Sequence, residues 1–197
     1  MPVSKGRSGT TVSGDYFREL YRDKDDPWGF AASPYEAAKY RATIAALPRE
    51  RYGSALEIAC SIGVFTELLA PRCEALLGID VSADAIARAE QRFGAHPHVR
   101  LAVCDVVSEF PPGPFELVTF CEVGFYLGPR DLARVRDEIA TALLPGGDLV
   151  LVHWTPLVEG HAQTSDDVHE SFLNDRRFAP RTAARAETYR LDVLSRT

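Results

Sequence analysis

The segment ALEIACSIGVFTELLAPRCEALLGIDVSADAIARAEQRF, residues 55–93, carries the clearest alternation of strand and helix patterns in the chain. It begins with a short apolar strand over 55–59, turns through small residues and continues as a helix from residue 65 that Pro71 ends. A second apolar strand over 75–80 follows, and Ser82 then caps a helix over 83–93. Two apolar strands joined through a helix are typical of a βαβ unit in a parallel sheet whose two faces are covered.

The same alternation continues toward the C-terminus. The pattern predicts strands over 99–104, 115–121 and 148–154 and a helix over 129–143. Residues 164–167 could cap a further helix through Phe172, and two alternating runs follow over 179–187 and 189–196. The last two runs indicate a closing antiparallel pair, whereas residues 157–178 carry the least regular pattern. We therefore expect an α/β fold with a seven-stranded, mostly parallel sheet and a C-terminal antiparallel strand pair.

The N-terminal part differs from this core. Residues 1–13 are rich in Ser, Gly and Thr without periodicity, which predicts a disordered tail. Aromatic residues at helical spacing follow over 15–22, and Ser33-Pro34 reads as the start of a second helix that reaches residue 46. We predict an N-terminal helical cap or lid over 14–48 and one α/β domain over 49–197.

Composition narrows the function classes. The net charge of −6 disfavours a broad nucleic-acid surface. No apolar run approaches the roughly 18 residues that span a membrane, and the N-terminus lacks an apolar signal core, so we expect a cytoplasmic protein with no membrane partner. Four cysteines are present without a Cys-x-x-Cys pair or histidines at ligand spacing, which predicts reduced core residues and no metal site.

Acidic residues stand at the ends of four predicted strands. They are Glu57, Asp80, Asp105 and Glu122. In open α/β sheets the ligand lies outside the carboxyl ends of the strands, so these side chains should converge. Asp80 can accept both hydroxyls of an adenosine ribose, and Asp105 can accept from an adenine amino group, although either acid can also cap a turn. The ordered series favours an adenosine-type ligand.

The loop after the first strand argues against a dinucleotide. A pyrophosphate site uses G-x-G-x-x-G, and the corresponding positions here hold Ala59, Ser61 and Val64. Ala59, Ser61 and Gly63 are nevertheless small at every second position, so the backbone can approach a ligand closely. A tight turn without a ligand would use the same residues.

Several motifs resemble those of class I S-adenosylmethionine methyltransferases. They are E-x-A-x-S-x-G from Glu57, G-I-D-V-S around Asp80, C-D-V around Asp105 and L-L-P-G-G before the fifth strand. Three further stretches resemble the nodulation protein S type of N-methyltransferase: Tyr16-Phe17 through Asp26-Pro27-Trp28-Gly29-Phe30, Ser33-Pro34-Tyr35-Glu36, and Leu56-Glu57 through Glu67-Leu68-Leu69-Ala70-Pro71. That resemblance covers most of residues 15–155 and fades afterwards, and Ala59 and Ser61 replace the usual glycines.

The resemblance implies a Rossmann-like fold, S-adenosyl-L-methionine as cofactor and transfer of a methyl group to a small-molecule amine. Members of that group methylate an amino sugar of a chitin-like oligosaccharide. The alternatives are an O-methyltransferase of a natural-product scaffold and a non-catalytic or nicotinamide-binding module. We expect a monomer or a weak homodimer. The candidate cofactor-binding residues are Trp28, Tyr35, Arg41, Glu57, Ala59, Cys60, Ser61, Gly63, Asp80, Val81, Asp105, Val106 and Glu122.

Three residues are candidates for the chemistry on the acceptor. His153 ends the fifth strand and titrates near neutral pH, which suits a base, although a structural histidine fits equally. Glu122 is the second candidate, as a base or as an anchor for a cationic amine. Tyr126 would line the acceptor pocket or pack in the core.

The N-terminal aromatics and one arginine have two interpretations each. Tyr16, Tyr21, Trp28 and Tyr35 could form a lid that excludes water and contacts the sulfonium, or pack as an ordinary helical layer. The resemblance favours a lid for Trp28 and Tyr35. Arg41 could pair with the methionyl carboxylate or lie on the surface.

Overall fold

The computed structural model describes residues 9–93 and 96–197, and its centre is a seven-stranded sheet ordered β3-β2-β1-β4-β5-β7-β6. The strands are β1 (Ala55–Ile58), β2 (Leu76–Asp80), β3 (Val99–Val103), β4 (Phe115–Cys121), β5 (Leu143–Trp154), β6 (Phe178–Arg185) and β7 (Tyr189–Arg196). Strands β1 to β5 are parallel, and β7 runs antiparallel to both of its neighbours, β5 and β6. The predicted Rossmann-like sheet with its C-terminal antiparallel pair is confirmed.

Six helices accompany the sheet within the described residues. They are α1 (Gly14–Asp23), α2 (Pro34–Ala45), α3 (Val64–Leu69), α4 (Ala83–Phe93), α5 (Pro129–Ala142) and α6 (Ser165–Leu173). The expected caps form: the Ser33 hydroxyl accepts the Glu36 N–H, and the Ser82 hydroxyl accepts the Ala85 N–H. Thr164 and Asp167 cap α6 reciprocally, which fixes its start in the stretch that had the least regular pattern.

The central strands are mostly apolar because both faces of the sheet are covered. Neighbouring residues of β4 enter different cores: Val118 joins the cluster that contains α5 and α6, and Leu117 joins the one that contains α3. In β5, Leu149 and Leu151 likewise face the first cluster, and Val150 faces the second. The two-residue period of a strand therefore fills two cores at once.

Two features differ from the sequence prediction by more than one or two residues. Strand β5 begins at Leu143 instead of residue 148, because Leu143 pairs with Phe115 before the Pro-Gly-Gly turn shifts the register. At the N-terminus, Val12 N–H donates to Tyr126 O at 2.9 Å, and Thr11 Oγ1 accepts the Gly128 N–H at 2.9 Å. The last residues of the predicted tail are thus hydrogen-bonded to the turn after β4, whereas residues 1–8 of that tail lie outside the described residues.

Within the described ranges, none of the helices is long and apolar enough to cross a membrane.

Phe172 is the side chain on which the α6 contact with the sheet depends. It is fully buried, with ring centroids 5.8 Å from Phe120 and 5.5 Å from Phe178. We expect Phe172→Ala to lower the free energy of unfolding by about 3–5 kcal/mol, because a large cavity opens in the core. Urea denaturation measures this, with Leu157→Ala as the matched control, since Leu157 is 80% exposed and should change little.

Candidate cofactor and acceptor site

A cavity of about 590 Å³ opens at the carboxyl ends of the parallel strands. The N-terminal helices α1 and α2 and the turns after β1, β2, β3 and β4 form its wall. Eleven sequence-predicted site residues line it: Trp28, Glu57, Ala59, Cys60, Ser61, Asp80, Val81, Asp105, Val106, Glu122 and Tyr126. The expected convergence of the strand-end acids is therefore present in the structure.

The loop after β1 has an alternating left-handed backbone. Ala59, Ser61 and Gly63 have φ angles of 60°, 53° and 80°. An L-residue in this conformation costs about 1–2 kcal/mol, and such strain is typical of functional sites. Ala59 and Ser61 thus adopt the conformation that glycine would favour, which explains how small non-glycine residues keep the loop's shape. Gly63 itself packs away from the cavity, near Ala89 and Phe93 of α4.

Asp80 ties this loop to the start of α4. Its Oδ2 accepts the Ser61 N–H at 3.0 Å, and its Oδ1 accepts the Ser82 N–H at 2.9 Å. Burial raises the pKa of Asp80 to about 6, although these N–H groups act in the opposite direction. The Tyr21 hydroxyl donates to Ser61 Oγ at 2.5 Å, so α1 is fastened to the same loop.

Glu57 has an unsatisfied carboxyl group in the cavity wall. The residue is 3% exposed, and its Oε2 has no hydrogen-bond partner within the described part of the chain. Burial raises its pKa to about 8, and the nearby Asp80 adds to the shift. A buried oxygen without a partner is costly, so this position suits a ligand that brings a donor or a positive charge. The ammonium and sulfonium of S-adenosylmethionine meet that requirement.

Asp105 lies in the cavity wall just after β3. Its Oδ1 accepts the Val107 N–H at 3.0 Å, and its backbone oxygen accepts the Ser108 N–H. The side chain therefore caps the turn and faces the cavity at the same time. The two interpretations of the sequence, a turn cap and an adenine contact, are compatible.

Glu122 belongs to a buried charge cluster that also contains Lys39 and Glu36. Lys39 Nζ donates to Glu122 Oε1 at 2.5 Å and to Glu36 Oε1 at 3.0 Å. The other oxygen of Glu122 accepts the Trp154 N–H at 2.8 Å. Burial raises the pKa of Glu122, and the nearby Lys39 acts in the opposite direction. Burial by itself would lower the pKa of Lys39, but the carboxylates of Glu122 and Glu36 raise it above its usual value. The backbone of Glu122 is itself left-handed, at φ 55°.

His153 lies in the core and not in the cavity wall. It is fully buried, and its Nε2 accepts the Gly124 N–H at 3.0 Å. This acceptor role places the proton on Nδ1, which lies 3.0 Å from His169 Nε2, and His169 Nδ1 then donates to Asp192 Oδ2 at 2.6 Å. Burial lowers the pKa of His153 well below its usual value. The predicted base is thus a structural histidine that holds the turn after β4.

Three other predicted site residues lie outside the cavity lining. The Tyr35 hydroxyl hydrogen-bonds Thr188 Oγ1 at 2.7 Å and its ring packs on Trp154, so it joins α2 to the C-terminal hairpin. Arg41 is exposed on α2, and Gly63 contributes only backbone shape. Trp28 does line the cavity and stacks on Phe30 with centroids 5.5 Å apart, in the position that a lid residue would take.

One polar helix face and one histidine belong to the cavity lining without having been predicted from the sequence. Glu36, Lys39, Tyr40 and Thr43 of α2 all line the cavity. Their three- and four-residue spacing could have indicated a shared face, but a polar face is ordinarily assigned to solvent. His161 also lines the cavity, and nothing in its surrounding stretch of sequence indicated this.

The fold and the site define the class of this protein. The sheet order, the single antiparallel strand β7 and the acids at the strand ends are those of class I S-adenosylmethionine-dependent methyltransferases. Residues 14–152 match the sequence model of the family described as Nodulation protein S (NodS). The chain belongs to that family.

Individual relatives agree with this assignment. The chain is 36% identical to Nodulation protein S of Rhizobium tropici over 76% of its own length, and 36% identical to that of Bradyrhizobium diazoefficiens over 58%. The aligned segments span 66% and 54% of those two relatives, which is less than two thirds of their length.

Solved structures resemble the fold. The N-methyltransferase NodS of Bradyrhizobium japonicum in complex with S-adenosyl-L-homocysteine matches with a TM-score of 0.83 at 26% identity, covering 94% of this chain and 99% of that one. A putative methyltransferase from Pseudomonas syringae matches with a TM-score of 0.72 at 35% identity, covering 82% and 99%.

The strain in the loop after β1 predicts opposite changes in the free energy of unfolding for two alanine-to-glycine variants. We expect Ala59→Gly to raise the free energy of unfolding by up to about 1 kcal/mol, because glycine adopts a positive φ without a Cβ clash. The matched control Ala38→Gly, on the exposed face of α2, should lower it by about 1 kcal/mol. Urea denaturation of both variants checks the pair, and a loss of stability in Ala59→Gly would contradict the strain argument.

The raised pKa of Glu57 predicts a pH-dependent stability. Between its unfolded pKa near 4.5 and its folded pKa of about 8, the folded protein retains a proton that the unfolded chain has released. The contribution of Glu57 to the free energy of unfolding should therefore fall as the pH rises across this window, by at most about 1.4 kcal/mol per pH unit.

Urea denaturation at a series of pH values measures this slope. Glu57→Gln should remove this falling contribution and shift the slope to more positive values than in wild type, because the side chain no longer titrates. Glu74→Gln, an exposed carboxyl replaced in the same way, should keep the wild-type slope. Equal slopes in wild type and Glu57→Gln would refute the assignment.

Proposed function

We propose that this protein is an S-adenosylmethionine-dependent N-methyltransferase that acts on a small-molecule amine, with amino sugars as the leading acceptor class. The observation that carries the proposal is the acidic excess of the cavity. Five carboxyl residues and one lysine line it within the described residues: Glu36, Glu57, Asp80, Asp105, Glu122 and Lys39. The ionised carboxylates of this wall attract cations, and both a sulfonium donor and an amine acceptor carry positive charge. Glu57 retains its proton at neutral pH and would release it when a cation binds beside it.

The residues divide between the two ligands by position. Asp80 and the loop after β1 suit the adenosyl part, because the carboxylate is preorganised by two backbone N–H groups and the loop backbone is concave. Glu57, with its unpartnered oxygen, suits the methionyl ammonium. When bound, the cofactor would supply an electrophilic methyl group, and the protein would need only to orient the acceptor and exclude water.

Glu122 is the proposed anchor for the acceptor amine. It lies in the cavity wall at the end of β4, the strand that pairs with β1. Each carboxylate oxygen can accept two hydrogen bonds, so Glu122 can receive an amine in addition to Lys39 and the Trp154 N–H. The aromatic residues Phe17, Trp28 and Tyr126 of the lining would keep water away from the amine.

The relatives support N-methylation. The structure with a TM-score of 0.83 is named an N-methyltransferase and holds S-adenosyl-L-homocysteine. An amine acceptor also agrees with the carboxylate wall, since a hydroxyl acceptor has no charge for that wall to attract.

The test is methyl transfer from labelled S-adenosylmethionine to a panel of amines, amino sugars and matched hydroxyl compounds. We expect label on nitrogen. We expect Glu122→Gln to lower kcat/KM for the amine ten- to a hundredfold, because a hydrogen bond to a charged group contributes about 1.5–3 kcal/mol.

Glu116→Gln is the matched control for this variant. Glu116 lies on the same strand at the opposite end, where it too accepts a backbone N–H, from Gly53 at 2.9 Å. Its kcat/KM should equal that of wild type. Transfer to hydroxyl compounds with none to any amine would contradict the proposed acceptor class, and the absence of S-adenosylhomocysteine binding in calorimetry would contradict the proposed cofactor.

A further inference from the structure

From the geometry of the cavity we infer that His161 accepts the proton that the acceptor amine must lose, an inference that rests on the proposed amine methylation. His161 precedes α6, on the loop that joins it to β5, and its ring lines the cavity. It is the histidine that faces the cavity, whereas His153 and His169 are fully buried in the core.

The ring of His161 is held in a defined place. It stacks on Phe125 with ring centroids 4.1 Å apart and planes 6° apart, and it meets the Tyr126 ring edge to face with centroids 4.9 Å apart. The backbone next to it is fastened to the same turn, because the N–H groups of Ala162 and Gln163 both donate to Phe125 O, at 2.9 and 3.1 Å. His161 and the turn after β4 therefore form one rigid unit, a requirement for a group that must meet a bound acceptor.

The ring nitrogens of His161 differ from those of the two buried histidines. Within residues 9–93 and 96–197, neither ring nitrogen of His161 has a hydrogen-bond partner, in contrast to those of His153 and His169. Half-burial lowers the pKa of His161 below its usual value, so the imidazole is neutral at neutral pH and has a lone pair to offer. A neutral, unpaired imidazole in a ligand cavity meets the requirements of a general base.

The chemistry requires such a group. Alkyl amines are mostly protonated at neutral pH, and an ammonium has no lone pair with which to attack. The ammonium proton passes to the imidazole nitrogen, the amine nitrogen then forms a bond to the methyl carbon, and the carbon–sulfur bond breaks with its electron pair remaining on sulfur. The imidazolium afterwards releases its proton to water.

The charged and titratable groups around His161 set the background for any pH profile. Tyr126 lies on the turn after β4, and burial raises its pKa above the usual value, so it stays protonated at neutral pH. His153 lies behind Phe125 and stays neutral, and Glu159 is on the same loop. Glu122 and Lys39 belong to the same cavity wall as Tyr126.

The experiment compares wild type, His161→Gln and His98→Gln in kcat/KM from about pH 4.5 to pH 10, with an amine that the wild type methylates. For wild type we expect kcat/KM to rise with pH through a value below the usual histidine pKa and then to level off, because only the neutral imidazole accepts a proton. In His161→Gln it should fall about a hundredfold or more at pH 7 and recover toward wild type at high pH, where the amine is neutral without help.

His98→Gln is the matched control, since His98 precedes β3 at the amino-terminal end of that strand, whereas the cavity lies at the carboxyl ends of the parallel strands. It should keep the wild-type profile. Calorimetry with S-adenosylhomocysteine should give equal affinity for all three proteins, which separates a chemical effect from misfolding. Titration of the histidine ring signals by nuclear magnetic resonance, with His161 assigned from its loss in His161→Gln, should show a pKa below the usual value that shifts when the amine is added.

The outcomes separate the two proposals. Wild-type transfer with the same pH profile in His161→Gln would overturn the role of His161 and leave the proposed function intact. A ring signal of His161 that does not respond to the amine would also overturn it. An absence of transfer from wild type to any amine would overturn both.

Discussion

The Asp80 carboxylate, held by two backbone N–H groups, is the interaction on which the site depends. Its two oxygens join the turn after β1 to the start of α4, and Tyr21 extends the same network to the N-terminal cap through Ser61. Removing a buried acceptor of this kind would leave donors unsatisfied in two loops at once. The shape of the ligand pocket and the attachment of the N-terminal cap to the sheet therefore depend on the same hydrogen bonds.

The residues with strained backbone and the carboxyl groups with raised pKa lie at the same edge of the sheet. Ala59, Ser61 and Glu122 are the described non-glycine residues with positive φ, and all three face the cavity. Burial at this edge also raises the pKa of Glu57 and Asp80. Each of these features costs folding free energy, and a bound cation would offset part of that cost, as is common where a protein is shaped for a ligand.

The sequence predicted the parallel sheet, its antiparallel end and the acids at the strand ends, because apolar runs and their flanking residues are local signals. It could not place side chains whose neighbours come from distant parts of the chain. His153 and His161 show this most clearly: the strand-end position suggested a base at His153, yet His169 and Asp192 enclose it, while His161 reaches the cavity from an irregular loop. Lys39 likewise faces the cavity, where it pairs with Glu122, a residue 83 positions away along the chain.

The buried chain of hydrogen bonds from Asp192 through His169 and His153 to Gly124 has a consequence for how this family can diversify. A Cβ at Gly124 would lie 2.6, 2.8 and 2.9 Å from side-chain atoms of Val168, Phe120 and His153, so the hydrogen bond to His153 needs glycine at this position. His169 and Asp192 lie in α6 and β7, beyond residues 14–152 that match the family model. A chimera that imports the C-terminal segment of another relative must therefore bring residues at these two positions that continue the chain of hydrogen bonds from His153.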